Sequence, residues 1–397
     1  GIGMGAEKTL TLEGKKALNE AELLIGAKRM TEAVQKPGQM VLHEYRSEKI
    51  VEYIREHPKY RTVAIALSGD VGFYSGAKKL IDQLDGNVEV ICGISSVVYF
   101  MSKIGLSWDD AKIVSAHGRN CNLISLIRHN PKVFSILGTE DGVAVLASRL
   151  VYYGMGDVTL YVGENLSYEN EKIFHDKAAN LTEYRGDALS VVTACNEKAT
   201  PMSAVHGISD REFLRGKAPM TKEEVRTVSL SKLRLSEDSV CYDVGAGTGS
   251  VSVEMALRAW MGQVYAIEKK EDALALLKEN KKKFAVDNLA IIPGVAPEAM
   301  TELPAPTHAF IGGSSGNMQD IINLLLEKNP KVRIVINCIT LETVTEAMNA
   351  IRDFGLEDVD IVQLAAARSK SIGRYHMMMG ENPIYIISCS GRGEEIR

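Results

Sequence analysis

Short apolar runs alternate with amphipathic stretches along the chain, most clearly in its second half. Runs rich in β-branched residues predict strands, and apolar positions spaced three and four apart predict helices. The strand candidates are VCYDV, QVYAIE, LAIIP, THAFIG, RIVINCI, DVDIVQLAA and PIYIISC. The helix candidates between them are SVSVEMALRAW, DALALLKENKKKF, MQDIINLLLEK and TLETVTEAMNAIRDFG. This alternation predicts an α/β fold on a mostly parallel seven-stranded sheet, closed by two strands that include an antiparallel one.

The first half alternates in the same way, so the chain contains two such regions. The segment between them, residues 195–224, carries two prolines and mixed charge without strong periodicity. A chain of 397 residues is too long for one ordinary core. We therefore predict two domains, at residues 1–198 and 207–397, joined by a linker at residues 199–206.

Composition and charge narrow the class of protein. The chain is 45% hydrophobic and 24% charged with a net charge of −5, which is typical of a globular protein and gives no sign of a nucleic-acid or membrane surface. Its six cysteines stand singly, which suits reduced thiols and not a disulfide frame or a zinc site. The apolar runs are strand-length, and no signal-peptide pattern opens the chain. We expect a cytoplasmic protein without a metal site.

The stretch DVGAGTGS carries the strongest chemical signal. Asp243 ends a strand, and three glycines follow at alternate positions from Gly245 to Gly249 before a helix begins. Glycines let the backbone approach a ligand, and a helix N-terminus offers free N–H groups. A carboxylate at Asp243 would repel a pyrophosphate and suits the cationic amino group of S-adenosylmethionine. Glu268 ends the next strand, where it can accept hydrogen bonds from ribose hydroxyls. A nicotinamide dinucleotide site and a purely structural turn are the alternatives.

Six ordered segments of the second half resemble one family. PMTKEEVRTVSLSKLRL, DVGAGTGSVSVE, YAIEK, GVAPEA, FIGGSSGNMQDII and CITLETVTEAM are similar to the decarboxylating cobalamin-pathway methyltransferases of the CbiT type, over residues 207–391. The resemblance implies a class I Rossmann-like domain that methylates carbon 15 of a precorrin ring and removes carbon dioxide from the acetate on carbon 12. Val295 stands where the family commonly has an acid. The implied S-adenosylmethionine contacts are Thr221, Asp243, Gly245, Ala246, Gly247, Thr248, Gly249, Glu268 and Ala296.

The first half resembles a second family. VAIALSGDVGFYSGAKKL, CGISSVVYFMSKIGLSWDDAKIVSAHGR and VTLYVGENLSYENEKI are similar to class III tetrapyrrole methylases of the CbiE type, which methylate carbon 5 of the ring, over residues 1–195. The family's GxGPG and GDPxFY occur here with Met4 and Val71 in place of proline, which removes backbone rigidity. The resemblance implies two α/β subdomains with a cleft between them. Its implied S-adenosylmethionine contacts are Gly69, Asp70, Gly72, Phe73, Ser95 and Ser96.

A precorrin carries many carboxylates, so its site should present cations and backbone N–H groups. The candidates for substrate binding or catalysis are Arg368, Arg374, His117, Arg119, Asn337 and Thr340. The first two arginines, in AAARSKSIGRYHMM, are candidate carboxylate clamps, with a solvated basic loop as the alternative. The histidine, in SAHGR, is a candidate proton acceptor, with a structural role as the alternative. The asparagine and threonine, in NCIT, end the fifth strand on the expected substrate side.

The two resemblances together predict one bifunctional enzyme of adenosylcobalamin biosynthesis. It would use S-adenosylmethionine to methylate precorrin-6B, or its cobalt form, at carbons 5 and 15, and would decarboxylate it to a precorrin-8. Its expected partner is the tetrapyrrole, with no nucleic acid and no membrane, and relatives of both domains imply a homo-oligomer. A methyltransferase acting on RNA or protein and a non-catalytic S-adenosylmethionine sensor are the alternatives. The acidic composition argues against the RNA enzyme.

Overall fold

The computed structural model describes residues 1–84, 88–116, 122–201 and 207–392. The chain forms two compact units. The first unit comprises Gly1–Gly118 and Asn130–Ala199, and the second comprises Arg119–His129 and Thr200–Arg397. The candidate residues His117 and Arg119 lie outside the described residues.

Helices and strands alternate through both units. The helices are α1 (Leu12–Glu20), α2 (Lys28–Val34), α3 (Ser47–Glu56), α4 (Ala77–Ile81), α5 (Ser96–Ile104), α6 (Leu123–His129), α7 (Gly142–Tyr152), α8 (Glu223–Leu233), α9 (Ser250–Arg258), α10 (Glu271–Phe284), α11 (Met318–Lys328) and α12 (Leu341–Asp353). Within the four described stretches, no helix has both the length and the apolar character needed to cross a membrane.

The strands of the first unit are β1 (Leu23–Gly26), β2 (Met40–His43), β3 (Val63–Ala66), β4 (Lys112–Ser115), β5 (Lys132–Ile136), β6 (Thr159–Glu164), β7 (Lys172–Lys177) and β8 (Ser190–Cys195). They form a parallel sheet in the order β2-β1-β3 and a mixed sheet in the order β4-β5-β8-β6-β7. Strand β1 is buried on both faces, since Leu24 packs in one apolar cluster while Leu23 and Ile25 pack in another. This explains its continuous apolar sequence.

The strands of the second unit are β9 (Val240–Val244), β10 (Gln263–Glu268), β11 (Leu289–Pro293), β12 (His308–Ile311), β13 (Arg333–Cys338), β14 (Glu357–Leu364), β15 (Ala367–Ile372), β16 (Tyr375–Gly380) and β17 (Ile384–Ser390). Seven of them form one sheet in the order β11-β10-β9-β12-β13-β17-β14, in which β17 runs antiparallel to both neighbours. The predicted seven-stranded sheet with its antiparallel strand is therefore confirmed.

Alternate residues of the central strands feed two apolar layers. Tyr242 and Val244 of β9 pack on one face of the sheet, and Cys241 packs on the other. The same alternation places Val335 of β13 with Cys241, so Asn337, two residues further, belongs to that face as well. Helix α8 covers this face.

Strands β15 and β16 form a separate antiparallel hairpin between β14 and β17. The candidate clamps Arg368 and Arg374 lie in this hairpin, in β15 and in its turn. The side chains of β16 are all exposed, including three consecutive methionines that begin at Met377. Residues that could be interpreted as a basic loop are thus regular β-structure with exposed apolar side chains on both faces of the hairpin.

The second unit is not one continuous stretch of sequence, because α6 belongs to it. The side-chain amide of Asn122 donates to Asn288 Oδ1 at 2.8 Å, and the Arg128 guanidinium donates to the Lys283 carbonyl at 2.8 Å. The side chains from Leu123 to Ile127 are buried. A segment that the sequence places inside the first predicted domain therefore contributes to the second unit.

Candidate active sites

The second unit carries a cavity where its parallel strands end. Because β9, β10, β12 and β13 are parallel, their carboxyl ends meet at one edge of the sheet, which is where ligands bind in open α/β sheets. The cavity has a volume of about 470 Å³ and is lined by residues that follow each of these four strands. It is the natural place to test the predicted S-adenosylmethionine residues.

The glycine turn after β9 forms the floor of this cavity. Gly245, Gly247 and Gly249 have φ angles of 75°, 56° and 78°, in the left-handed region that glycine adopts readily. A Cβ atom at Gly247 would lie 2.8 Å from the Pro219 carbonyl oxygen, and one at Gly245 would lie 2.9 Å from the backbone of Gly313. The spacing of the glycines thus reflects both backbone conformation and lack of space, and it leaves backbone exposed to a ligand.

Glu268 joins the end of β10 to the glycine turn. Its Oε2 atom accepts the N–H of Gly247 at 2.8 Å, and its Oε1 atom accepts those of Lys269 and Lys270 at 2.8 and 2.9 Å. The carboxylate is largely buried and lines the cavity. Three backbone donors fix its orientation, and its remaining lone pairs can accept hydrogen bonds from ribose hydroxyls.

Asp243 lies beneath the turn. It is not among the residues that line the cavity, whereas the next residue, Val244, does line it. Its side chain is buried, one carboxylate oxygen accepts a hydrogen bond from the Ser252 hydroxyl, and the other has no partner among the described residues. Burial raises the pKa of Asp243 to about 7, against the lowering effect of the Ser252 hydrogen bond. Its contact with the amino group of S-adenosylmethionine stays a prediction.

Most of the other predicted cofactor residues line the same cavity. Those in its wall are Thr221, Gly245, Ala246, Gly247, Glu268 and Ala296. The hydroxyl of Thr248 is buried without a partner among the described residues. Gly249 is the N-cap residue of α9, and a Cβ atom there would clash with Leu277. The geometry therefore fits S-adenosylmethionine at the glycine turn, with Thr248 and Gly249 shaping the turn from behind.

The structure places the substrate candidates of the second unit in different environments. Asn337 lines the cavity, whereas Thr340 caps α12, where its hydroxyl oxygen accepts the N–H of Thr343 at 3.2 Å. Arg368 is held by carboxylates of its own unit, at 2.7 Å from Glu224 and 3.5 Å from Glu223. These carboxylates compensate its charge. The guanidinium of Arg374 lies 5.2 Å from the ring centroid of Tyr375 in the exposed hairpin. The clamp role of both arginines stays a prediction.

Three lysines of the cavity wall were missed by the sequence reasoning. These are Lys222, Lys269 and Lys270, and the Lys269 ammonium donates to the Ser315 hydroxyl at 2.9 Å. Each lies one or two residues after a residue already singled out, Thr221 or Glu268, so the signal was adjacency in sequence. Cations at the mouth of the cavity suit an anionic substrate.

One wall of the cavity belongs to a segment that we call the strap, residues 208–221. The side chain of Arg226 in α8 is completely buried and holds both ends of the strap. It donates to the Thr221 carbonyl at 2.6 Å and to the Ile208 carbonyl. It also pairs with Glu254 at 2.5 Å and with Asp210 at 3.2 Å. The position of Thr221 at the cofactor site therefore depends on one guanidinium.

The first unit brings its two predicted cofactor turns together. Gly69 exchanges backbone hydrogen bonds with Gly3, at 2.6 and 3.3 Å. The Asp70 carboxylate accepts the N–H of Gly72 at 2.8 Å and, across the gap between the turns, that of Gly93 at 3.1 Å. Asp70 thus fixes the separation of the two turns.

The remaining candidates of the first unit lie beside these turns. Ser95 caps α5, where its hydroxyl oxygen accepts the N–H of Val98 at 3.5 Å, and Ser96 begins the helix. Phe73 packs 6.2 Å from the ring centroid of Phe134. A separate cavity of about 550 Å³ beside β3 has mostly apolar walls, and within the described part of the unit its lining includes none of the six candidates. Contact of these six residues with S-adenosylmethionine stays a prediction.

Both units match families of known proteins. Residues 212–390 match a family model described as a precorrin methyltransferase domain, and residues 1–182 match one described as tetrapyrrole (corrin/porphyrin) methylases. A probable cobalt-precorrin-6B C(15)-methyltransferase (decarboxylating) from Pyrobaculum calidifontis is 45% identical over 188 residues, covering 47% of this chain and 96% of the relative. The enzyme named cobalt-precorrin-6B C(15)-methyltransferase (decarboxylating) from Salmonella typhimurium is 40% identical over 192 residues, covering 48% of this chain and 99% of the relative.

A crystal structure of precorrin-6y C5,15-methyltransferase from Geobacter metallireducens is 39% identical, covers 47% of this chain and 96% of that chain, and superposes with a TM-score of 0.44. The precorrin methyltransferase model falls on the unit that holds the glycine turn, and the tetrapyrrole methylase model falls on the sequence that precedes it. Both predicted resemblances are thereby confirmed. This chain belongs to the family of decarboxylating cobalt-precorrin-6B C(15)-methyltransferases, carries a tetrapyrrole methylase domain ahead of that enzyme, and uses S-adenosylmethionine as its methyl donor.

Proposed function

We propose that this chain methylates precorrin-6B or cobalt-precorrin-6B at ring carbons 5 and 15 and decarboxylates the acetate on carbon 12, giving a precorrin-8. The first unit acts at carbon 5, and the second acts at carbon 15 and on the acetate. One observation carries the proposal. A single chain joins a tetrapyrrole methylase sequence to a precorrin methyltransferase sequence, and the latter folds around a cavity that fits S-adenosylmethionine.

The residues of the second unit have separable tasks in this reaction. The glycine turn and Glu268 hold the methyl donor, and Thr221 of the strap closes over it. S-adenosylmethionine supplies an electrophilic methyl group, so the chain needs no nucleophile of its own. Lys222 and Lys269 attract the carboxylates of the ring and place it beside the donor. Positioning of the two reactants is the main catalytic contribution.

In the first unit the paired turns have the corresponding task. Asp70 holds them at a fixed spacing through its two backbone hydrogen bonds. Phe73 and the start of α5 flank the same space. We place the methyl donor between these turns, where backbone N–H and C=O groups would provide most of its contacts.

The test is the mass of the product after the full chain is incubated with S-adenosylmethionine and precorrin-6B, with or without cobalt. Gain of two methyl groups and loss of carbon dioxide supports both assignments, and the substrate form that reacts decides between the two precorrins. Gain of one methyl group without decarboxylation overturns the assignment of the second unit. No change of mass, with S-adenosylmethionine bound, overturns the proposed substrate.

We further infer that the chain self-associates through the β15–β16 hairpin. A two-stranded hairpin is marginally stable alone in water, and this one exposes 65% of Tyr375 and 63% of Met378. A second copy offers matching strand edges and apolar side chains. Light scattering should show an oligomer that Met378→Glu dissociates and Met348→Glu, at an exposed site on α12, does not. A monomer at every concentration contradicts this inference.

We place the reaction in a reducing compartment, the cytoplasm. The described cysteines are free thiols, and Cys241, Cys338 and Cys389 are buried, where oxidation would disturb the core. Fluorescence microscopy of the tagged chain in its host would test this location.

A further inference from the structure

The cavity of the second unit has an apolar end that no step described above uses. In the sheet register Asn337 of β13 lies opposite Ile386 of β17, and Ile384 of the same strand lies opposite Leu364 of β14. Directly opposed residues, and residues two apart on one strand, share a face of the sheet. The polar side chain of Asn337 therefore lies among aliphatic side chains of β14 and β17 on one face of the sheet. Helix α8 covers this face.

The amide of Asn337 is buried and only half satisfied. Its Oδ1 atom shares the single proton of the Ser229 hydroxyl of α8 with the Val225 carbonyl, at oxygen–oxygen distances of 3.0 and 2.8 Å. Only 8% of the residue is exposed, and its Nδ2 group is buried without a hydrogen-bond partner among the described residues. Buried donors in folded proteins are almost always paired, so an unpaired one beside a cavity points to a ligand acceptor.

This end of the cavity is distant from the cofactor residues. Glu268 ends β10, and Asn337 lies on β13, three strands away in the order β10-β9-β12-β13. Three strand spacings amount to about 14 Å. A methyl donor whose ribose lies at Glu268 and whose methionine part lies over the glycine turn leaves the Asn337 end to the substrate.

We propose that the apolar end of the cavity is the decarboxylation subsite, in which Asn337 Nδ2 donates a hydrogen bond to the carboxylate of the ring's carbon 12 acetate. This inference rests on the proposed function of the second unit. Besides Asn337, the apolar residues that line the subsite are Val225, Ile339, Leu364, Ala366 and Ile384, and Glu224, Glu381 and Asn382 also line the cavity. Aliphatic walls disfavour a carboxylate relative to neutral carbon dioxide, and a neutral amide orients the carboxylate without the strong stabilisation that a cation would give.

The bond changes balance without a further reagent. The bond between the acetate methylene and its carboxylate carbon breaks, and carbon dioxide leaves. The electron pair of that bond forms a double bond between the methylene and ring carbon 12, and the conjugated ring takes up the displaced π electrons at an iminium group. A proton from water at the mouth of the cavity then converts the methylene into a methyl group. The chain contributes orientation, because the breaking bond must stand perpendicular to the ring plane for its electrons to enter the π system.

The experiment compares the full-length chain with its Asn337→Leu variant, which keeps the branched shape of the side chain and removes the amide. Single-turnover reactions with S-adenosylmethionine and the precorrin substrate are quenched and resolved by mass, so that methylation and loss of carbon dioxide are timed separately. Asn323→Leu, at an exposed position on α11, is the matched control. Calorimetric titration with S-adenosylmethionine verifies that each variant is folded at the cofactor site.

We expect Asn337→Leu to bind S-adenosylmethionine and methylate carbon 15 like the parent, while decarboxylation slows roughly ten- to hundredfold, the range for losing a hydrogen bond to a charged group. The methylated carboxylic acid then accumulates. Asn337→Asp, which presents an anionic acceptor, should decarboxylate even more slowly. Unchanged timing of carbon dioxide release in Asn337→Leu overturns the subsite, and so does an equal loss of methylation and decarboxylation. A parent chain that does not methylate the substrate instead overturns the proposed function itself.

Discussion

Replacement of Arg226 by methionine should destabilise the second unit strongly. The arginine side chain is completely buried, and its two carboxylate partners, Glu254 and Asp210, are 3% and 6% exposed. Removing one partner of a buried ion pair costs about 3–5 kcal/mol, because the other charge stays buried without compensation. Asp210 keeps a second cation, Arg215, at 3.1 Å. We therefore expect a loss of about 3–4 kcal/mol, which comes mostly from Glu254 and the two strap carbonyls.

Urea unfolding followed by tryptophan fluorescence measures this loss in the right unit. The chain has two tryptophans, Trp108 in the first unit and Trp260 in the second. In a Trp108→Phe background the signal comes from the second unit alone. This matters because a chain of two units need not unfold in one step. At a slope of about 2 kcal/mol/M, Arg226→Met should lower the midpoint by roughly 1.5–2 M.

A second substitution separates lost charge compensation from lost packing. Adding Glu254→Gln to Arg226→Met removes the uncompensated carboxylate and should restore more than half of the lost stability. Arg215→Met, at a half-exposed pair with Asp210, is the control and should cost less than about 1 kcal/mol. A loss below about 1 kcal/mol for Arg226→Met, or no recovery in the double variant, would refute the reasoning.

Three further outcomes are expected. Gly247→Ala places a Cβ atom 2.8 Å from the Pro219 carbonyl at a φ of 56°, so calorimetry should show S-adenosylmethionine binding roughly tenfold weaker; an unchanged affinity contradicts the proposed cradle. Because burial raises the pKa of Asp243 to about 7, the native second unit keeps a proton that the unfolded chain releases near pH 4. Its unfolding free energy should therefore fall as the pH rises from about 4 to about 7, and Asp243→Asn should flatten this dependence of the urea midpoint; an equal slope in both proteins argues against it. Asp70→Ala removes the acceptor that links the Gly72 and Gly93 N–H groups, so mass analysis should show methylation at carbon 5 slowed at least roughly tenfold, with carbon 15 still methylated. Full methylation of both carbons at the parental rate would count against the first-unit site.

The strand pattern of the second unit was predictable because its sheet is buried on both faces. Each central strand is a short run of β-branched and apolar residues with polar turn residues on either side, and helices between them have apolar faces of the right period. The cofactor end of the cavity was predictable for a related reason. Asp243, the glycines and Glu268 lie within single strand–turn segments, so local sequence already implies their proximity.

The rest of the site depends on contacts between distant segments, which one sequence does not record. Arg226 gives no local sign that it holds Ile208 and Thr221, since an arginine in a helix is usually exposed. From the sequence alone, Arg368 would be taken for an unpaired cation, but the fold places the Glu224 carboxylate beside it. The sequence predicts Thr340 as a substrate contact at the end of a strand. Threonine is also a common N-cap residue, and this is the position that Thr340 takes before α12.

Helix α6 has a practical consequence for anyone who wishes to study the two activities apart. A single cut near residue 200 removes from the second unit the helix that hydrogen-bonds with Asn288 and Lys283. The first half of the chain then keeps an apolar helix without the surface on which it packs. The isolated halves should therefore aggregate or lose solubility even though each keeps its own glycine turns. Inactivating one site at a time by point substitution keeps both units whole and is the sounder way to assign each methyl group.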